Sequence, residues 1–463
     1  VGEDGYIKKE YANLLLQSNS FDTTWTKSSA SVTGGQVGYD GTNYAWLLEK
    51  SGALGRVQQA PSNSGVQTFS IYAKAGTLNW VLLGTNVNAA SFDLQNGTLG
   101  SVTGSTSITS NIESIGSGWY KCSITLNGSV TSFRIYPGDG NNDVSGTSGN
   151  IYIQDAMLNQ GLVAYPYLET TTAPVYGGLT DDMPRLDYSG GATCPSLLLE
   201  PSRSNRIPHS EYYDSFLNYG TGKAVFEQNV ATSPENVENA YKIILNSGIT
   251  SGGGAVSSWT GAFTQGESIT FSIFLKADEF DEIRLGGYFA NESAIFNLRD
   301  GSVISQASNV TNAYSVPFGN DWYRCVVTYT FQNSIGNNFL YSGYSVFAKS
   351  NGVSLIGDGV KGVLAYGAQF EQGSYPTSYI PTYGSSQTRA ADDLTSTPLS
   401  IDGLFGATSG SIFMEFTNPL QGLSNNWFSM TGVAAGAPAY MRVRGYWQMN
   451  MPGLTWNPTP NLG

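Results

Sequence analysis

The sequence predicts an all-β protein built of tandem antiparallel β-sandwiches, and three observations carry that prediction. Short alternating runs bounded by Gly, Asn and Ser turns recur along the chain, long amphipathic helical spacing is missing, and the first half repeats in the second. Trp119-Tyr120-Lys121-Cys122 returns 203 positions later as Trp322-Tyr323-Arg324-Cys325. A period this long means two domains rather than a solenoid of short units.

Residues 1–12 precede the first matched segment and form an N-terminal segment. Val1-Gly2-Glu3-Asp4-Gly5 has no initiator Met, no basic stretch and no apolar run of the kind a secretory signal uses, so chain is expected before Val1. The first sandwich is placed at 13–175 and its duplicate at 201–382. The match runs in order. Asn13-Leu14-Leu15-Leu16-Gln17-Ser18 stands beside Asn205-Arg206-Ile207-Pro208-His209-Ser210, and Asn43-Tyr44-Ala45-Trp46-Leu47-Leu48 beside Asn239-Ala240-Tyr241-Lys242-Ile243-Ile244. Phe69-Ser70-Ile71-Tyr72-Ala73-Lys74 then pairs with Phe271-Ser272-Ile273-Phe274-Leu275-Lys276. The offset grows from 192 at Asn13 to 212 at Gln160, as insertions in loops between fixed strands produce.

In Trp119–Leu126 the side chains alternate between two faces, and Tyr120, Cys122, Ile124 and Leu126 form the expected core face. The duplicate puts Tyr323, Cys325 and Val327 in the same phase. Residues 176–200, with Gly177-Gly178 and Gly190-Gly191, read as a structured linker, and 383–400 as a second linker. Beyond it, Gly410-Ser411-Ile412-Phe413-Met414-Glu415-Phe416 opens a strand pattern with no counterpart in the repeats. Residues 401–463 are therefore expected to be part of a third sandwich, completed elsewhere.

Composition narrows the function. Only 12% of the 463 residues are charged and the net charge is −13 without any basic stripe, which argues against nucleic-acid partners. No apolar run approaches the length needed to insert in a membrane. Cys122 and Cys325 occupy the same position in the two copies and read as small buried hydrophobes, while Cys194 has no evident partner. Such a chain, rich in extracellular-type residues yet without a disulfide framework, points to assembly in a reducing cytoplasm.

Two stretches resemble bacteriophage tail-fibre and head-fibre proteins. One is Pro184-Arg185-Leu186-Asp187-Tyr188 with Pro195-Ser196-Leu197-Leu198-Leu199-Glu200-Pro201 and Ser204-Asn205. The other is Gly367-Ala368-Gln369-Phe370-Glu371-Gln372-Gly373, followed by Tyr379-Ile380-Pro381-Thr382 and Thr388-Arg389-Ala390-Ala391-Asp392. The resemblance implies jelly-roll repeats similar to carbohydrate-binding modules, then a concanavalin-like (laminin G-like) sandwich, in a homotrimeric virion protein assembled in the host cytoplasm. Copy one ends in Tyr165-Pro166-Tyr167-Leu168-Glu169-Thr170 and lacks the Thr-Arg-Ala-Ala-Asp tail.

The chemistry-bearing residues are sparse. The single histidine, His209, has no nucleophile motif around it, and one His with three scattered Cys cannot make a tetrahedral zinc set. Asp181 with Asp182, or Glu279 with Asp281 and Glu282, would supply paired carboxylates for glycoside hydrolysis, but neither group recurs in the other copy, and solvated loop acids are the simpler reading. Asp139, Asn141 and Asp143 carry oxygens at calcium-loop spacing, although Val144 and Asn150 stand where Gly and Glu belong. Calcium is the one cofactor the sequence suggests.

Aromatic rings suggest sugar binding, because a flat ring stacks on the apolar face of a pyranose. Trp46, Trp80 and Tyr136 in copy one and Trp259 in copy two are the candidates, with Trp25, Tyr288 and Phe289 behind them. Trp119 and Trp322, kept in both copies, read as packing. The expected role is a non-enzymatic virion fibre or decoration that spaces and adheres, its partners being other virion proteins and a host-surface glycan. The alternatives are the substrate-binding portion of a phage polysaccharide depolymerase, or a secreted bacterial adhesin.

Overall fold

The computed structural model describes residues 1–392, apart from 87, 105, 180–182, 189–192, 216, 220–222, 259–263, 288–289 and 332–339, together with three strands between 428 and 450. The protein is all-β. In each repeat two six-stranded antiparallel sheets face one another. The first sheet of copy one runs Ser107–Gly116, Trp119–Asn127, Val66–Ala75, Gly149–Gln160, Ala45–Lys50, Ala30–Gln36 in spatial order. Its facing sheet runs Thr26–Ser28, Arg56–Gln59, Phe133–Gly138, Trp80–Gly84, Ala89–Asp93, Thr98–Thr103.

Copy two repeats both orders strand for strand. One sheet runs Val310–Phe318, Trp322–Thr330, Ser268–Ala277, Gly362–Gln372, Glu238–Leu245, Ala224–Thr232. The other runs Leu217–Tyr219, Ser251–Ser258, Leu340–Phe347, Glu282–Gly287, Ser293–Asn297, Val303–Gln306. The duplication therefore extends from sequence to topology.

The alternating pattern works as the pleat requires. Cys122 pairs in register with Ile71, and Ile124 with Phe69, all fully buried, and the Phe69 ring meets Phe133 of the facing sheet at 5.2 Å. Copy two places Cys325 on Ile273 and Val327 on Phe271 in the same way. Each such side chain contributes roughly 1.5–3 kcal/mol of burial. Both thiols are buried and unpaired, and burial pushes their pKa values far up, so they behave as hydrophobes.

The opposite face of these strands is also covered, which alternation alone does not reveal. Trp119 and Trp322 point away from the cores yet are 1% exposed. Tyr39 stands edge-on to Trp119 at 6.3 Å and Trp322 packs with Phe274 and Tyr366, while the tail of each repeat is held two residues further along the strand. Lys121 Nζ donates to the carbonyls of Ala164 and Tyr165, and Arg324 donates to the carbonyl of Thr377.

Asn13 and Asn205 lock the tails at equivalent places. Asn13 Nδ2 donates to Ala156 O and Leu168 O while Oδ1 accepts from Leu15 N and Leu158 N; Asn205 repeats this with Ala368, Ile380, Ile207 and Phe370. Each repeat then closes with a two-stranded ribbon, Tyr11–Asn13 with Val175–Gly177 and Arg203–Asn205 with Gln387–Arg389. The sandwiches thus extend a few residues past the expected 13–175 and 201–382.

Residues Val1–Asp393 form one compact unit rather than two loosely joined beads. The 1–12 segment crosses to the second sandwich, where Ile7 N donates to Pro234 O. Lys9 Nζ lies 2.9 Å from Glu211 and 3.0 Å from Glu235, with all three side chains at most 5% exposed. Tyr383 carries the contact back, its carbonyl accepting from Val66 N of the first sandwich.

Leu394–Gly463 is a separate unit, of which Phe428–Ala434, Ala437–Val443 and Trp447–Asn450 form a three-stranded antiparallel sheet. The strand expected at Ile412 lies outside the described residues, so the concanavalin-like reading of 401–463 rests on the resemblance alone. Among the described residues no helix is long and apolar enough to cross a membrane.

Candidate functional site

The outer face of the second sheet in copy one gathers two of the predicted aromatics. In Trp80–Gly84 the pleat turns Val81 and Leu83 into the core, so Trp80, Leu82 and Gly84 face outward. Tyr136 stands opposite Leu82 on one side and Ser91 on the other, while Gly138 and Asp93 flank Trp80.

Glycine at 100 leaves room for the Trp80 ring to lie down on the sheet, while the Tyr136 ring reaches Gly84 at ordinary contact distance. A Cβ at Gly100 would come within 2.7 Å of the Trp80 ring, and one at Gly84 would meet the Tyr136 ring at 3.5 Å. Trp80 and Tyr136 remain half-buried, and Leu82 between them is 4% exposed. The Arg56 guanidinium sits 5.6 Å from the Tyr136 ring and extends the platform at its edge. Two flat, half-buried rings with the Arg56 guanidinium at their edge suit the mixed apolar and hydroxylated faces of a sugar.

The platform belongs to copy one alone. Register places Glu282 where Trp80 stands, Arg284 where Leu82 stands and Ser345 where Tyr136 stands. Glu282 there pairs with Lys349 at 2.8 Å.

The other predicted residues have different positions. Trp46 packs on the core, its indole Nε1 donating to Asn19 O at 2.8 Å, and so does not join the platform. Register aligns it with Tyr241, one residue away from the alignment the sequence suggested, and Tyr241 is itself buried. Trp46 is thus the ordinary aromatic of that strand in both copies. Trp25 is 1% exposed against Phe21. Trp259, Tyr288 and Phe289 lie outside the described residues, as do Asp181 and Asp182.

Asp139, Asn141 and Asp143 each have one side-chain oxygen engaged by donors of the protein itself. Asp139 accepts from Lys50 Nζ at 2.6 Å and from Gly146 N, Asn141 Oδ1 accepts from Ser101 N, and Asp143 Oδ1 accepts from Ser145 N. The buried Lys50 ammonium sits where a loop cation would be sought, and Val144 O also accepts from it. Among the described residues no cluster of three His, Cys, Asp or Glu is placed to hold a metal. The loop's work is local: with Asn142 N on Ser91 Oγ it ties down the edge beside Trp80.

Glu279, Asp281 and Glu282 each pair with a cation, Lys242, Arg299 and Lys349 respectively. His209 lies edge-on to Tyr212 at 5.8 Å, its Nδ1 buried without a hydrogen-bond partner, and burial lowers its pKa. Residues the sequence reading missed are Arg56, Leu82, Gly84 and Gly100. Their signal lay in strand pairing, which sets Leu82 beside Tyr136 and brings Arg56 to its ring.

No family model matches the chain, and no curated protein does. Among solved structures, the N-terminal CBM22-1-CBM22-2 tandem domain of Paenibacillus barcinonensis Xyn10C matches 78% of this chain and 97% of its own at 10% identity, with a TM-score of 0.24. Vicilin from Solanum lycopersicum (tomato) matches 65% of this chain and 74% of its own at 9% identity, with a TM-score of 0.10. At these scores neither likeness carries an argument about what this chain binds.

Proposed function

We propose that the chain is a non-enzymatic glycan-binding protein of a virus particle, a bacteriophage fibre or decoration whose first sandwich holds sugar on the Trp80–Leu82–Tyr136 face. The observation that carries the sugar reading is the pair of half-buried rings on that face, with Arg56 at the rim. The virion setting rests on the resemblance of the Arg185, Glu200 and Arg389 stretches to fibre proteins. Trimeric assembly would turn weak single sites into useful avidity.

A glycan array on the full chain, followed by Trp80→Ala, tests the sugar reading. The expected result is binding to cell-surface or capsular glycans that falls at least tenfold in the variant, with the melting temperature nearly unchanged. Equal binding by parent and variant would sink it. Light scattering tests the assembly separately, since a monomer at micromolar concentration contradicts a trimeric fibre.

A further inference from the structure

A second site lies at the far end of the second sandwich, where Ser202, Arg203, Ser204, Arg206 and Gln372 line a groove of about 360 Å³, within the range of small-ligand sites. Arg203 is the informative residue. Its Nη1 donates to Ser202 O at 3.2 Å, its guanidinium lies 5.6 Å from the Tyr375 ring, and its Nε is buried with no acceptor. Among the described residues no carboxylate lies within ion-pair distance of it. A guanidinium offers five donors and the chain engages one of those of Arg203, so its remaining Nη donors are left for an acceptor the chain does not supply.

The neighbouring groups hold one another in place. Arg206 Nη2 donates to Gln372 Oε1 at 2.9 Å, and Gln372 Nε2 donates to Glu267 Oε1 at 3.0 Å, which fixes both side chains at the groove wall. The fold does not demand arginine here. In copy one Tyr11 occupies the place of Arg203 and stacks on Tyr165 at 5.1 Å, and Leu14 occupies the place of Arg206. That end of copy one is closed by Tyr383 against Val66.

We infer that this groove binds the oxyanion of an acidic sugar, a carboxylate or a sulfate ester, gripped by the Arg203 guanidinium. The inference rests on the glycan reading for its sugar scaffold, but its residues are wholly separate from the Trp80 face.

Oligogalacturonate, its methyl ester and a sulfated galactan oligosaccharide, titrated calorimetrically into the full chain, test it. We expect the free acid to bind at least tenfold more tightly than the ester. Arg203→Met should erase that difference, and Arg203→Lys, which keeps the charge but not the fork, should restore little of it. Tighter binding of the sulfated sugar with the same Arg203 dependence identifies the anion as sulfate.

Equal affinity for acid and ester with no sulfated sugar bound, or an anion preference that survives Arg203→Met, overturns the inference. An Arg203-dependent anion preference in a chain that binds no neutral glycan would remove the Trp80 reading alone. No binding of any of the three sugars removes this one.

Discussion

Asp155 shows what the duplication hides at single positions. The strand Gly149–Gln160 shifts register between Gln154 and Met157, and Asp155 sits at that break with φ 57°, where copy two has Gly367 at φ 61°. A left-handed conformation is strained for aspartate and free for glycine. Asp155 is held there by Tyr39, whose hydroxyl donates to Oδ2 at 2.8 Å, and by Asn19, which accepts from its backbone N–H.

Burial pushes the Asp155 carboxyl up to about 6, above its ordinary 3.8, with the hydrogen bond from Tyr39 opposing. The folded state therefore holds the proton more tightly than the unfolded state, so this group's contribution is full below about pH 4 and is lost as pH rises through about 6. Asp155→Asn keeps the shape, tolerates the left-handed backbone and removes the charge. Its unfolding free energy should gain on the parent's across that window, by an amount on the order of 2 kcal/mol at neutral pH. Parallel curves from pH 4 to 8 would refute the assignment.

At the scale of elements, the stretches that carry the fibre resemblance meet in space. Arg185 bridges Glu200 and Asp392 at 2.7 Å each, and Arg389 reaches Glu200 at 2.6 Å. Glu200 also accepts from Ser378 N, and the guanidinium partners hold its carboxyl below the usual range despite burial. The Pro-Arg-Leu-Asp-Tyr, Leu-Glu-Pro and Thr-Arg-Ala-Ala-Asp pieces are thus one clasp that joins linker, ribbon and tail of the second sandwich.

Glu200→Gln removes the charge that three donors converge on, and should destabilise this sandwich by roughly 3 kcal/mol, read by urea unfolding. Trp46→Ala, which removes a half-buried ring packed against the core, should cost roughly 2–3 kcal/mol while sparing glycan binding. The pattern of strands, the core phase of Cys122 and Ile124, and the matched Asn13 and Asn205 were all legible in the sequence. The clasp was visible as motifs but not as contacts, because its members lie up to 207 residues apart.

At the scale of the whole molecule, Lys9 joins the two sandwiches. Its ammonium is buried with two carboxylates and near the rings of Tyr165, Tyr366 and Tyr383. Desolvation opposes the Lys9 charge, yet Glu211 and Glu235 raise its pKa well above the ordinary value. Removing one partner from such a cluster leaves uncompensated charge, typically at a cost of 3–5 kcal/mol. Lys9→Met should therefore split one calorimetric transition of the 1–393 unit into two, whereas a single unchanged transition would show that the sandwiches are coupled elsewhere.

The sequence by itself determined the fold class, the duplication and the phase of each core strand, because alternation and repetition are local properties that the pleat reads directly. Only the tertiary structure decided which aromatics are available. Trp46 and Trp80 look alike in sequence, but strand register aligns one with the buried Tyr241 and sets it against the core, and turns the other to the outer face of its sheet. It likewise brought Lys50 to the loop of Asp139, left Arg203 Nε without an acceptor and set Tyr39 against the outward face of Trp119. Each of these depends on contacts between distant segments, and nothing in the local chain encodes which segment will arrive.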